Sequence, residues 1–480
     1  MAKKYDVVIV GAGPAGFMAA RTAGENGLNV ALLEKKKDLT VFNRSCAQTL
    51  VSATEPYLGK LAVLNSRDHR IALSPDGFSV KYDGPHKNLY AWWFYSPAGH
   101  PIKLGLPEEG RKIGDLARLG IVIDKESLFR NFLDDVKAVS VDIFPGITVE
   151  RVTGSADGVK VEGSGRTFEG TYCIAADGVN SGISEMLGMN EHRYYWCNLN
   201  IVSYYMSGVD VPDPNMIITS SGYREDGRCL FFMAPRPFEG EYNVQLLSID
   251  PRVNLKKAAE YFMKETFTAP WFKNAKTLRT LSYVCSCYDP IEVPFKDNIL
   301  LIGDSASTQE IENTGAMLCG WKAGNAVAAA VRERNIKLRV QGIQTYLDWW
   351  KTAFCEGYDH EAYMKNWILT FVLTSAEKMA FAFGLLDEPL PGNFNPYTAG
   401  KIMGAKMATL TPIIAQERPD IWMDLVRLRW PLKEVYAEVT RLSRAISDGP
   451  VAPRKRSPSE AGATRDAWVK SLGRFLREKK

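Results

Sequence analysis

Three short stretches of this chain carry residues that could do chemistry together. The first is Gly11-Ala12-Gly13-Pro14-Ala15-Gly16, with Glu34 closing the next apolar run. Glycines at that spacing let the chain turn tightly at Gly11 and bring its backbone against a pyrophosphate at Gly13. Gly16 lets the following helix lie close to the strand. A carboxylate at Glu34 can accept hydrogen bonds from both hydroxyls of a ribose. The second stretch is Asp177-Gly178, followed by Asn180 and Ser181. The third is Gly303-Asp304, which follows an apolar run and leads into small residues that continue to 331. A further candidate is Cys46, either a proton donor or redox thiol, or a small buried side chain.

Elements of particular types must position these residues. Tyr5 to Val10, β-branched throughout from Val7, is expected as a strand buried on both faces. A helix from Ala15 to Gly24 would aim its free N–H groups and positive dipole end at phosphates. A second strand, Asn29 to Leu33, would end at Glu34. Strands Tyr172 to Ala175 and Ile299 to Ile302 would deliver the other two motifs. A glycine-rich turn without a ligand would not need this strand–turn–helix–strand–acid context. The fingerprint alone leaves NAD and FAD open.

Composition bounds the remaining possibilities. The chain has 480 residues, 46% of them hydrophobic, enough for a large core and more than one domain. A net charge of +4 calls for no nucleic-acid partner. Eight cysteines in this length are no dense disulfide framework, and Cys285-x-Cys287 is too close for a usual zinc pair. No metal site and no iron–sulfur run is expected. The apolar stretch from Trp367 to Ser375 falls short of a membrane span and is soon followed by Glu377 and Lys378. The N-terminus runs directly into a strand, so a cytoplasmic, reduced protein without a leader is expected.

Together the three motifs resemble the FAD-dependent family that includes p-hydroxybenzoate hydroxylase and the geranylgeranyl reductases, over residues 1 to about 335. The resemblance implies FAD as cofactor. It also implies that Asp304 bonds the ribitol and ribose side, and that small residues let a helix N-terminus face the pyrimidine end of the flavin. Within the family, Gly303-Asp304-Ser-Ala-Ser-Thr-Gln-Glu310-Ile311-Glu312-Asn-Thr314-Gly315-Ala316 keeps the register of the reductases' GDAAG-x-x-x-P-x-x-GGG pattern. Ile311 stands where the reductases have proline, and Thr314-Gly315-Ala316 replaces their triple glycine. Ser307 stands where the hydroxylases usually carry histidine. The segment 41–50, VFNRSCAQTL, resembles the reductases' cysteine segment. It puts Cys46 near the flavin's reactive face and Arg44 within reach of an FAD phosphate. The reductases' Tyr-x-Trp-x-Phe-Pro segment is absent.

The resemblance implies cofactor-binding roles for Gly11, Gly13, Ala15, Gly16, Glu34, Arg44, Asp177, Gly178, Gly303, Asp304, Gly315 and Ala316. Cys46, Glu310 and Glu312 are the proton-donor candidates. The fold expected is α/β. A Rossmann-like FAD-binding domain is formed by 1–78, 111–190 and 296–335. It is interleaved with a largely antiparallel substrate sheet from 79–110 and 191–295. A helical C-terminal domain, 336–448, and a linker with a basic amphipathic tail, 449–480, follow. Trp92, Trp93, Phe94, Phe231 and Phe232 could line an apolar pocket or simply pack a core. In the tail, Trp468, Val469, Leu472, Phe475 and Leu476 share a face, which suits an anionic membrane surface or docking on the protein itself.

The reaction expected is hydride transfer from reduced flavin to a carbon–carbon double bond of an isoprenoid- or lipid-like substrate. The electron donor would be NAD(P)H, bound transiently, or a redox protein. An NAD(P)H-dependent aromatic monooxygenase and a flavoprotein electron carrier to a quinone or protein partner are the alternatives.

Overall fold

The structure is a computed structural model, and it describes residues 3–51, 58–307, 312–357 and 360–445. Glu310, Ile311 and the C-terminal tail 449–480 lie outside the described residues.

The β-branched N-terminal run forms strand Lys4–Val10, buried from Val7 to Val10. It pairs in parallel with Val30–Glu34 on one side and Arg166–Ala175 on the other. Val141–Pro145 extends the sheet beyond Val30–Glu34, also in parallel. The far edge of Arg166–Ala175 is shared. Its first half pairs antiparallel with Gly158–Gly163, and its end pairs in parallel with Ile299–Leu301. This register places the ends of three strands side by side, so Gly11, Ala176 and Ile302 leave the sheet at one edge. There the three sequence motifs begin, where ligands of open α/β sheets bind.

Helix Pro14–Glu25 follows the first turn, and the long helix Glu312–Asn335 packs along it. Gly11 has φ +103°, and a Cβ there would lie 2.3 Å from the carbonyl oxygen of Ala176, so only glycine fits. The small-residue run after Asp304 has a packing task that its sequence does not announce. A Cβ on Gly320 would lie 2.1 Å from the Ala15 carbonyl oxygen, and one on Gly324 2.7 Å from Thr22 Cβ. The run is therefore a close helix–helix contact along most of its length.

A second sheet of seven strands forms the other layer. Its order is Lys276–Tyr288, Tyr195–Ser207, Glu241–Ser248, Gly227–Pro235, Met216–Arg224, Ala91–Tyr95 and Pro101–Leu104. Every pairing is antiparallel except Met216–Arg224 with Ala91–Tyr95. The sequence reading of 193–290 as strands missed helix Leu255–Lys264, which covers the outer face of this sheet. Phe231 stacks on Phe262 of that helix at 4.7 Å between ring centroids.

Helices from Gly342 to Ala445 complete the described chain. Arg228 ties them to the sheet by donating to the carbonyls of Thr370, Phe371, Leu373 and Thr374 at the end of helix His360–Val372. Two of these carbonyls belong to the last turn of the helix and two follow it, where no further turn supplies donors, and a guanidinium fork satisfies several at once. Among the described residues no helix is long and apolar enough to cross a membrane.

Gly320→Val tests the helix contact. The added carbons have no room, so the two helices must part, at a cost of about 3 kcal/mol. The expected outcome is a clearly lowered melting temperature together with poorer retention of flavin. An unchanged melting temperature would refute the packing argument.

Candidate active site

The two layers enclose a cavity of about 230 Å³. The motifs supply its polar end. Pro14, Arg44, Cys46, Asp304, Glu312 and Ala316 line it, together with Lys125 and Asn313. Arg44 donates to Asp304 at 3.4 Å and lies over the Tyr283 ring at 5.5 Å. Gly178 N donates to Ser305 Oγ at 2.9 Å, so the second and third motifs are joined directly. Asn313 donates to the Thr49 carbonyl at 2.9 Å and fixes the start of the long helix to the segment after Cys46.

The remaining motif residues frame the cavity. Glu34 is buried, with Oε2 accepting from Ala12 N at 2.7 Å and Oε1 from Lys36 N at 2.9 Å. Its carboxylate is thus held against the glycine-rich turn. Asp177 is not among the residues lining the cavity. It accepts from Ser181 Oγ at 2.7 Å and from Ile183 N at 3.3 Å, and so braces helix Gly182–Met186. Gly303, with φ +60°, lies over Ala15. Gly315 is buried within the long helix.

These residues fit FAD. Helix Pro14–Glu25 begins at Gly13 with no side-chain cap and no acidic residue in its first turn. Its N–H groups are therefore free for an anion. A Cβ on Gly13 would meet nothing within 4 Å, so the space in front of that turn is open.

Cys46 is bound into a buried cluster. Its Sγ accepts from Gln48 N at 3.3 Å and from Lys125 Nζ at 3.6 Å, and its carbonyl accepts from Asn243 Nδ2 at 2.8 Å. Ser45 Oγ bonds Ser203 Oγ, and Gln48 Nε2 donates to Tyr205 Oη at 2.7 Å. The loop is thereby pinned to the second sheet. Lys125 is almost wholly buried, at 2% exposure, with its ammonium over the rings of Phe42 and Phe129. Burial pulls its pKa below the ordinary lysine value; Cys46 and Asp304 oppose that shift and Arg44 adds to it. Burial likewise lifts the Asp304 carboxyl above its ordinary value, against the pull of Arg44 and Lys125.

Strand alternation builds the apolar wall. On Gly227–Pro235, Leu230 and Phe232 face the cavity. On Glu241–Ser248 it is Gln245 and Leu247, and on Tyr195–Ser207 it is Leu199 and Ile201. Of the five aromatic lining candidates, Trp92 and Phe232 line the cavity. Phe231 does not, because its odd position turns it to the outer helix. Trp93 also packs on that outer core, and Phe94 packs on the C-terminal helices. The far end is closed by Tyr363, Met364, Ile368 and Phe371 of one C-terminal helix, by Phe394, and by Tyr436 of another. Sequence reasoning missed Lys125 and Gln245. Lys125 begins a surface-patterned helix, and Gln245 interrupts an apolar strand, a signal that alternation alone could have flagged.

Comparison with known proteins agrees with this geometry. The family model described as pyridine nucleotide-disulphide oxidoreductase matches residues 5–84. The digeranylgeranylglycerophospholipid reductase 1 of Methanococcoides burtonii is 25% identical over 377 residues, covering 74% of this chain and 81% of the relative. The corresponding Methanococcus vannielii reductase is 25% identical over 348 residues, covering 69% and 79%. Along most of both chains the protein is thus similar to the geranylgeranyl reductase-like branch of the FAD-dependent oxidoreductases. This flavoprotein also shares its fold with a geranylgeranyl bacteriochlorophyll reductase-like protein from Thermoplasma acidophilum. There the TM-score is 0.63 at 19% identity, over 89% of this chain and 99% of the other. The halogenase PltM, solved with phloroglucinol and FAD, shares the fold at a TM-score of 0.54 and 13% identity, over 97% and 96% of the two chains.

The buried ammonium makes a pH prediction for the flavin-free protein. Between the lowered pKa of Lys125 and the ordinary 10.5, the unfolded chain binds a proton that the folded chain does not. Stability therefore rises with pH through that window. Lys125→Met removes this contribution. Urea unfolding at a series of alkaline pH values should give a shallower profile for the variant. A profile as steep as wild type would show that the ammonium is not desolvated.

Proposed function

We propose that the protein reduces a carbon–carbon double bond of an isoprenoid-like lipid, as the names of its reductase relatives suggest for them. The observation that carries this reading is the shape of one cavity. A polar end built by Arg44, Cys46, Lys125 and Asp304 opens onto an extended apolar wall, without a charged side chain on the second sheet's part of it. A long hydrocarbon would gain about 25 cal/mol for each Å² buried there.

Bound FAD, reduced by NAD(P)H or a redox protein, would supply the hydride. The chain's own groups would do the rest. The turn at Gly11, Gly13 and Gly16, with Ala15 and Glu34, would hold the adenosine pyrophosphate. Arg44 and Asp304, supported by Gly178, Gly303, Gly315 and Ala316, would hold the ribityl and flavin part. The packed apolar wall would exclude water from the reacting carbons. Cys46 Sγ would give the proton to the second carbon, and Lys125 Nζ, 3.6 Å away, would replace it. Glu312, which also lines the cavity, is the second donor candidate. The basic amphipathic tail of the sequence suits a site drawing its substrate from an anionic membrane surface.

Anaerobic reduction of the flavoprotein followed by addition of an isoprenoid alkene tests the reading. The expected outcome is reoxidation of the flavin with formation of the saturated product. Reoxidation that occurs only with a quinone or a protein partner would instead make it an electron carrier. Oxygen-dependent hydroxylation of an added aromatic would make it a monooxygenase. Cys46→Ala should slow alkene reduction roughly a hundredfold without releasing FAD. An unaltered single-turnover rate would remove the thiol from the mechanism.

A further inference from the structure

One side chain on the apolar wall does not belong to a hydrocarbon site. Gln245 lines the cavity and is 6% exposed. Its Nε2 is buried and has no hydrogen-bond partner among the described residues. A buried amide donor left unpaired costs about 1–3 kcal/mol, so such groups are normally matched. Its cross-strand neighbours do not match it. Ser203 stands directly opposite on one side, with its hydroxyl engaged by Ser45, and Phe232 stands opposite on the other.

The position of Gln245 along the wall is informative. Asn243, two residues earlier on the same face, donates to the carbonyl of Cys46. In the other direction the wall is apolar: Leu247 and Leu230, then Ile201 and Leu199, and then the thiols of Cys285, Cys197 and Cys287. Ser248, which also lines the cavity, donates its hydroxyl to the Arg228 carbonyl, so the unmatched polar group lies at the Cys46 end and the apolar residues beyond it suit a tail.

We infer that Gln245 is a substrate-recognition residue: the ligand is an isoprenoid bearing an oxygen function, whose oxygen pairs with the Gln245 amide near Cys46 while the hydrocarbon runs toward Cys285 and Tyr436. A hydroxyl, ether or ester oxygen meets this requirement, and a pure hydrocarbon does not. The orientation rests on the alkene-reductase reading only in the choice of an isoprenoid, since the amide would select an oxygenated ligand in any apolar chemistry.

Binding to the oxidised holoenzyme, followed by perturbation of the flavin spectrum, tests this without turnover. The probes are geranylgeraniol and the hydrocarbon lacking only its hydroxyl. Wild type should prefer the alcohol roughly tenfold, the effect of one net hydrogen bond. Gln245→Leu should abolish that preference, chiefly by weakening the alcohol. Gln245→Met, which keeps length without a donor, should behave alike and guards against a packing artefact. Neither variant should melt lower than wild type, because each removes an unmatched polar group. Equal binding of both probes by wild type would overturn the inference. So would a preference that survives in both variants, or a change in FAD affinity with the preference intact. Preferential binding without later flavin reoxidation would keep the subsite and remove the alkene-reductase reading alone. Failure of both probes to bind would remove both readings.

Discussion

The close approach of two helices is the constraint on which the site depends. Helix Glu312–Asn335 can reach helix Pro14–Glu25 because Gly320 and Gly324 present no side chain to Ala15, Ala19 and Thr22. That contact fixes the beginning of the long helix relative to the glycine-rich turn. Asn313 then fastens the same end to Thr49, and the Gly178–Ser305 hydrogen bond joins the remaining two motifs. Turns that lie far apart in the chain thus become one rigid rim. An anionic cofactor needs such a rim, because donors fixed before binding cost no reorganisation.

The second layer contributes by a different rule. A strand shows alternate residues to opposite faces, so one sheet can serve a core and a cavity at once. Phe231 completes the core against Phe262, while Leu230 and Phe232 finish the cavity wall. The cysteine loop is clamped between the layers through Ser45, Cys46 and Gln48. This places a thiol and a buried ammonium where the polar rim meets the apolar wall. Hydride chemistry on a hydrocarbon needs such a boundary, with charge management on one side and water exclusion on the other.

The C-terminal helices belong to the site more than their sequence suggests. Arg228, from within the second sheet, holds the end of helix His360–Val372 by four carbonyls. The same helix offers Met364, Ile368 and Phe371 to the cavity. Loss of that arginine would release part of the cavity wall along with a helix end.

The sequence alone settled whatever depends on contacts near in the chain. The glycine turn, Glu34 at a strand end and Asp304 after a strand are local patterns, because a dinucleotide fold is read from one strand–turn–helix unit at a time. The cofactor and the branch could be inferred from them. Tertiary structure decided which side chains meet. Lys125 and Cys46 are brought together by folding across layers, and no spacing rule links them. Asp177 braces the start of helix Gly182–Met186, and three of the five aromatic candidates turned to other cores. Period-two alternation gives the faces of a strand but not which face the neighbouring layer covers. That choice is made by where helix Leu255–Lys264 and the C-terminal helices pack, and only the assembled layers determine it.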